Sequence, residues 1–359
     1  MSSRQIHHPN DCISNRYKIL NFIGEGGMQQ VYYAEDLALK REVALKVPKN
    51  MSAEKRFQRS AIVSARVNHP NVAKTLDYLE DGDNLYLIEE FISGQDLKEG
   101  VIQKLQVVDP YLTAKIFHYL AKGIAASHRA GVIHRDLKPS NIMVSGSFNL
   151  TEIKITDFGI AKMAEEEISN AVKDGESSMG NSSTVLGALP YMAPEMIKQF
   201  KNADKPSDIW SLGAMMYELI SGEKPFGFGL ITVQNILNAA PPPKPTHLDD
   251  KIQFQPLGKK LYELILSCLK KNPEERPTAD DLVQKCEKLC YPVEARKEGI
   301  VDRYFSRNKG IIKRSHDGKE IFFHLDSVYG EQPQEGSKVC FSEFPGYPLY
   351  RAHPVVLMQ

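Results

Sequence analysis

The chain has 359 residues, 42% of them hydrophobic and 25% charged, with 45 basic side chains against 45 acidic ones. A formal net charge of zero argues against a chain-wide electrostatic grip on nucleic acid or an anionic membrane, and no apolar run reaches the length of a membrane span. The length accommodates two or three packed units. A polar start over Met1 to Asn10 and five scattered cysteines (Cys12, Cys268, Cys286, Cys290, Cys340) lead us to expect a reduced, cytoplasmic protein.

Residues 1–16 read as an N-terminal segment. Short β-rich runs then alternate with turns: Tyr17 to Ile23, Gln30 to Asp36, Glu42 to Pro48, Ala73 to Glu80 and Asn84 to Glu90. One helix, Ala53 to Val67, interrupts them. From Leu97 the pattern turns helical, with predicted helices at Asp109 to Ala130, Ser207 to Ser221, Ile231 to Ala239, Leu257 to Lys270 and Thr278 to Cys290. Cys286 and Cys290, four apart on that last helix, amount to half a metal site with no second pair, and buried helix thiols are the expectation. A linker is expected at 291–298. Beyond it, Gly299 to Phe305, Gly310 to Arg314, Glu320 to Leu325, Lys338 to Phe344 and Leu349 to Val356 predict a five-stranded β-barrel over 299–359. The fold class expected is therefore α+β: a small β-rich lobe (17–92), a large helical lobe (93–290) and a small barrel.

The chemistry is concentrated in two tracts, His134-Arg135-Asp136-Leu137-Lys138-Pro139-Ser140-Asn141 and Asp157-Phe158-Gly159. Together they offer a carboxylate base, a cation and two hard oxygen donors. Upstream, Gly24-Glu25-Gly26-Gly27-Met28-Gln29-Gln30-Val31 lies between two predicted strands, where a glycine hairpin can lower backbone N–H groups onto phosphates. Val43-Ala44-Leu45-Lys46 follows, placing Lys46 mid-strand among apolar neighbours. Ala193-Pro194-Glu195, Asp208-Ile209-Trp210-Ser211-Leu212-Gly213 and Asn272-Pro273-Glu274-Glu275-Arg276-Pro277 come later, in that order.

Residue types, order and spacing resemble the protein kinase family from about Tyr17 to Cys290, in its bacterial serine/threonine form. The resemblance implies the two-lobed kinase fold and transfer of the γ-phosphoryl group of ATP to serine or threonine of protein substrates, with Mg²⁺ (or Mn²⁺) as metal. It assigns catalysis to Asp136, Lys138 and Lys46, metal binding to Asn141 and Asp157, and nucleotide binding to Ile23, Gly24, Glu25, Gly26, Gly27, Val31, Ala44, Lys46 and Glu90. It pairs Glu195 with Arg276. It also directs Arg135 toward a phosphorylated activation loop, with autophosphorylation expected among Ser177, Ser178, Ser182, Ser183 and Thr184, the last three favoured.

Four positions depart from the family. Gln29 replaces the third glycine, a modest change at a position where many kinases tolerate substitution. Ser60 occupies the helix position that normally gives Lys46 a glutamate, so an ammonium buried there would lack its partner. Glu89 stands at the back of the nucleotide pocket, where an apolar residue is usual. It is a substitute partner for Lys46, with Glu54 as a weaker one; alternatively Glu89 points along the adenine edge. Ala188 replaces a threonine whose hydroxyl would brace Asp136 and Lys138. All base and metal residues survive, so an active kinase is expected. The alternative is a nucleotide-binding pseudokinase acting as an RNA-linked signalling scaffold.

Within the barrel, Gly299 to Gly310 and Asp317 to Leu325 resemble a cold-shock domain, a barrel of the OB type. That resemblance implies single-stranded nucleic-acid binding through stacking on Tyr304, Phe305, Phe322, Phe323 and His324, with Lys309, Lys313 and Arg314 nearby. The tract after Gly310 is shortened to Ile311-Ile312, which removes two stacking rings, and strand alternation must turn some of the remaining rings inward. A barrel serving protein contacts is the rival.

Overall fold

The computed structural model describes residues 5–25, 29–49, 57–58, 61–158, 187–199, 203–228, 231–292 and 294–359. The first sheet contains β1 (Cys12–Ile13), β2 (Tyr17–Glu25), β3 (Gln29–Asp36), β4 (Arg41–Pro48), β5 (Thr75–Asp81) and β6 (Asn84–Glu90), in the order β1-β2-β3-β4-β6-β5. Strand alternation divides its side chains. Tyr32, Val43, Leu45, Val47 and Ile88 enter the small-lobe core with Ile13, Tyr17 and Ile19. The N-terminal segment is part of this lobe rather than a lead-in: β1 pairs with β2, and the Tyr86 hydroxyl meets His7 Nε2 at 3.0 Å. Of the helix expected at Ala53 to Val67, residues 57–58 and 61–64 are helical and Val67 lies beyond its end; Glu54 and Ser60 lie outside the described residues.

A three-stranded sheet, β7 (Gln95–Asp96), β8 (Ile142–Ser145) and β9 (Glu152–Ile155), lies against the helical lobe. The described helices there are α1 (Pro110–Arg129), α2 (Pro194–Lys198), α3 (Lys205–Ser221), α4 (Ile231–Asn238), α5 (His247–Asp250), α6 (Gln255–Cys268) and α7 (Ala279–Glu287). Asp109 starts α1 by accepting hydrogen bonds from the Tyr111 and Leu112 N–H groups, with Pro110 at the first helical position. Asp204 and Thr278 close capping boxes at α3 and α7. α3 is apolar around most of its circumference and runs through the core, with Trp210 stacked on Phe226 at 5.1 Å.

The C-terminal strands are β10 (Arg296–Ser306), β11 (Lys309–Arg314), β12 (Glu320–His324), β13 (Val328–Tyr329), β14 (Lys338–Phe344) and β15 (Arg351–Leu357). β10 pairs with β11 and β14, β11 with β12, and β14 with β15; a parallel β12–β15 contact closes a five-stranded barrel, with β13 added on β15. Val301, Ile312, Phe323, Val339 and Phe341 fill it. The first strand begins at Arg296, inside the stretch expected to be linker.

The barrel is fused to the large lobe, not tethered to it. Tyr329, Cys340 and Val356 belong to the large-lobe core cluster. Phe254 stacks on His353 at 5.2 Å and meets Tyr329 edge-on at the same distance, and the Tyr329 hydroxyl donates to the Ile220 carbonyl at 3.2 Å. At the centre, buried Arg296 donates through Nη2 to Asp109 Oδ1 at 2.9 Å, while its backbone N–H donates to Asn149 Oδ1 at 2.6 Å. Asp109 thus starts α1 and grips the barrel at once.

Candidate active site

The β8–β9 ladder assembles the acidic end of the cleft. Ile142 pairs with Ile155, and Thr156 N–H donates to the Asn141 carbonyl at 2.9 Å, so Asn141 and Asp157 emerge at the same end of one antiparallel pair. Asn141 Nδ2 donates to the Asp136 carbonyl at 2.7 Å and to Asp136 Oδ2 at 3.1 Å, which leaves its Oδ1 as the atom for a cation. Lys138 Nζ reaches the same Asp136 Oδ2 at 2.8 Å. Asp136, Lys138, Asn141 and Asp157 are therefore gathered into one site.

The loop carrying Asp136 is bolted to α3. Asp208, fully buried, accepts from the N–H groups of His134 and Arg135 at 2.9 and 2.8 Å and from His128 Nε2 at 2.9 Å. Burial alone would raise its pKa, but the bond from His128 and its charge, followed by the other donors, hold it below the usual carboxylate range. These bonds stabilise the positive φ of Arg135, +68°. His134 packs on Phe158 with ring centroids 4.6 Å apart and bonds the Thr156 carbonyl at 2.8 Å, tying the two motif tracts together. The motif resemblance did not reveal Asp208 as this anchor; a buried aspartate at a helix start was the signal available.

The upper wall comes from the first sheet. In register, Val31 faces Lys46, and Ala44 faces Glu89 across β6. Ala44 and Lys46, two apart, point the same way, so Glu89 is the diagonal cross-strand neighbour of Lys46. Lys46 Nζ lies 2.6 Å from Glu89 Oε2 and 2.8 Å from Asp157 Oδ1, with the Lys46 and Glu89 side chains each only 6% exposed. Glu89 points at Lys46 rather than along the adenine edge. Burial disfavours the ammonium, but Asp157 and then Glu89 outweigh it and hold the Lys46 pKa above its ordinary value. Burial pushes the Glu89 carboxyl up, while Lys46 overcomes burial at Asp157 and holds that carboxyl down.

The remaining expected nucleotide contacts are partly described. Ile23 is 51% exposed at the rim, Glu25 pairs with Lys49 at 3.0 Å, and Val31 and Ala44 are half-buried on the cleft face. The Glu90 side chain is taken by Lys154. Gly26 and Gly27 lie outside the described residues, as do Ser177, Ser178, Ser182, Ser183 and Thr184. Gln29 is more than a modest change: its Nε2 donates to Asp157 Oδ1 at 2.8 Å, joining β3 to the acidic end. A long amide where the family keeps glycine was the clue. Ala188 is buried, and Asp136 keeps its bonds to Lys138 and Asn141 without a hydroxyl there.

Two carboxylates against one ammonium leave the cleft needing positive charge. Hard oxygens from Asp157 and Asn141 suit Mg²⁺ in type and position, so these residues fit the metal that the kinase resemblance implies.

Away from the cleft, Arg276 holds Glu195 in a bidentate pair at 2.7 and 2.9 Å. Burial works against the Glu195 charge, but the Arg276 bonds win and keep its pKa low. The pair therefore stabilises the fold above the ordinary carboxyl pKa, and that contribution is lost as pH falls through the depressed folded value. Arg276→Ala is expected to cost about 3–5 kcal/mol at neutral pH and to flatten the acid limb of a urea-denaturation pH profile.

The barrel rings are not one platform. Phe323 is fully buried in the barrel core, and Tyr304 packs on it edge-on at 5.5 Å with its hydroxyl bound to the Pro333 carbonyl. Phe305, 55% exposed, and Phe322, capped by Arg351 at 5.2 Å, remain near the surface. His324 lies 3.1 Å from Asp326. Arg314, expected near the stacking rings, is buried and paired with Glu343 at 2.6 Å and with Asp317; Lys313 pairs with Asp302 at 2.7 Å.

Residues 17–286 match the sequence model of the family described as protein kinase domain. The serine/threonine-protein kinase pkn3 of Myxococcus xanthus is 33% identical over 347 residues, 93% of this chain and 58% of the relative. PrkC of Bacillus subtilis, a serine/threonine-protein kinase, is 35% identical over 219 residues, 60% of this chain and 32% of the relative. Among solved structures, Rad53 residues 1–466 in complex with AMP-PNP aligns with a TM-score of 0.59 and 25% identity, over 75% of this chain and 64% of that one. The chain spans from 31% to 58% of the length of the first curated relatives it matches. Among the described residues, no helix is long and apolar enough to cross a membrane.

Proposed function

The chain belongs to the protein kinase family, and from that membership we propose that it is an active serine/threonine kinase that uses Mg-ATP. The observation that carries this reading is the convergence of Asp136, Asn141 and Asp157 at one end of the β8–β9 pair, with Lys46 reaching Asp157. Bound Mg-ATP supplies the transferable phosphoryl group and most of the charge neutralisation. Asn141 Oδ1 and the Asp157 carboxylate hold the metal. Lys46 orients the phosphates, with Ile23, Gly24, Glu25 and Val31 above them and Ala44 and the Glu90 backbone at the adenine; the assignment of Gly26 and Gly27 to the nucleotide rests on the family resemblance alone. Asp136 aims the substrate hydroxyl and takes its proton at the free carboxylate oxygen. Lys138, already beside Asp136, neutralises charge developing in transfer. Arg135 is exposed and is the group we assign to a phosphorylated activation segment, and autophosphorylation at Ser182, Ser183 or Thr184 belongs to this reading. The test is transfer of labelled γ-phosphate to the chain itself and to a serine/threonine peptide. Nucleotide binding without any transfer would favour the pseudokinase instead.

We read the barrel as a cold-shock-like, OB-type unit, supported by its meander of β10, β11 and β12 and the parallel β12–β15 closure. Its proposed ligand is single-stranded nucleic acid, held by Phe305, Phe322 and Lys309. With Arg314 and Lys313 engaged in ion pairs, binding of a labelled oligonucleotide should be weak, in the micromolar range or above, with a shallow salt slope. A flat titration at low salt would leave protein contact as the barrel's role.

A further inference from the structure

In the kinase reaction the strand lysine must be held by a carboxylate before phosphate is oriented, and the family draws that carboxylate from a helix of the small lobe. This chain has serine at that position, Ser60. Two carboxylates meet Lys46 instead, Glu89 at 2.6 Å and Asp157 at 2.8 Å. Asp157 is shared: the same Oδ1 also accepts from Gln29, and under the kinase reading its oxygens are required by the metal. Glu89 is not shared in this way. Its position opposite Ala44 fixes it one diagonal step from Lys46 on two central strands of the sheet, and both side chains are buried.

We propose that Glu89 is the positioning residue of Lys46, taking over from the pocket wall the duty that a helix glutamate performs elsewhere. This rests on the kinase reading. Its consequence is that Lys46 is set by the sheet itself, and movement of the small-lobe helix does not assemble or dismantle it. The carboxylate also closes the rear of the pocket, so a ligand reaching behind the adenine position meets a buried ion pair rather than an apolar recess.

The test uses the full chain with Glu89→Met, Glu89→Gln and the double variant Glu89→Met with Ser60→Glu. Glu89→Met should lower kcat by about 100-fold, the scale of a misplaced catalytic group, and weaken Mg-ADP affinity by roughly tenfold. Glu89→Gln should fall between it and the parent. Ser60→Glu should return roughly tenfold of the lost kcat in the Glu89→Met background and add nothing in the parent. Unchanged kcat and Mg-ADP affinity in Glu89→Met, or no recovery in the double variant, would overturn the proposal. So would a lowered melting temperature with normal kcat for the folded fraction, the signature of a merely structural pair. If the parent transfers no phosphate, the kinase reading fails, and the Mg-ADP affinities still decide the role of Glu89.

Discussion

An Asp136→Ala variant is expected to lose about 10³-fold in kcat while keeping its affinity for Mg-ADP and its melting temperature. The separation follows from where Asp136 sits. Its contacts to Lys138 and Asn141 both use Oδ2, and its backbone is held through the loop that Asp208 anchors from below. The side chain is thus an addition to a frame built by other groups. Lys46, Asn141 and Asp157 remain to hold nucleotide and metal. Steady-state phosphate transfer, isothermal binding of Mg-ADP and a thermal melt distinguish the outcomes. Equal loss of binding and turnover would mean that Asp136 organises the metal site instead of acting on the hydroxyl.

Arg296→Ala is expected to cost about 3–5 kcal/mol, as much as Arg276→Ala at the other buried pair outside the cleft. It would strand the Asp109 carboxylate in the join between barrel and large lobe, and Asp109 must also keep the first turn of α1 capped. Arg296→Met should cost less than Arg296→Ala, because it retains packing, but it leaves the same carboxylate unpaired. Urea denaturation followed by both tryptophan fluorescence and far-ultraviolet dichroism measures the effect. Trp210 lies in the large lobe, so a tryptophan transition shifted with the dichroism means that barrel and lobe unfold together. Two separated transitions with Trp210 unmoved would show the barrel to be an independent appendage.

The element pattern and the cleft chemistry were legible because each depends on near neighbours in sequence. The five barrel strands could be read from alternating hydrophobicity, with edges shifted by no more than a few residues. The Glu89–Lys46 pair could be anticipated because two strands of a known pairing bring a given register with them. What escaped depends on surfaces meeting far apart along the chain. Arg296 looked like linker because nothing nearby in sequence reveals that Asp109, 187 residues earlier, waits for it. Gln29 looked like a tolerated substitution because its partner Asp157 is 128 residues away. The aromatic run at Tyr304, Phe305, Phe322 and Phe323 could not be sorted by composition; only the barrel's inside and outside assign Phe323 to the core and Phe305 to the surface.

The double duty of Asp109 has a mechanical meaning. The helix it starts passes beneath β9, where Gly123 lets Ile155 approach so closely that an added methyl group would stand 2.8 Å from the isoleucine Cδ1. Ile155 is two residues from Asp157. One helix, α1, therefore joins the barrel contact at its first turn to the strand that leads into Asp157.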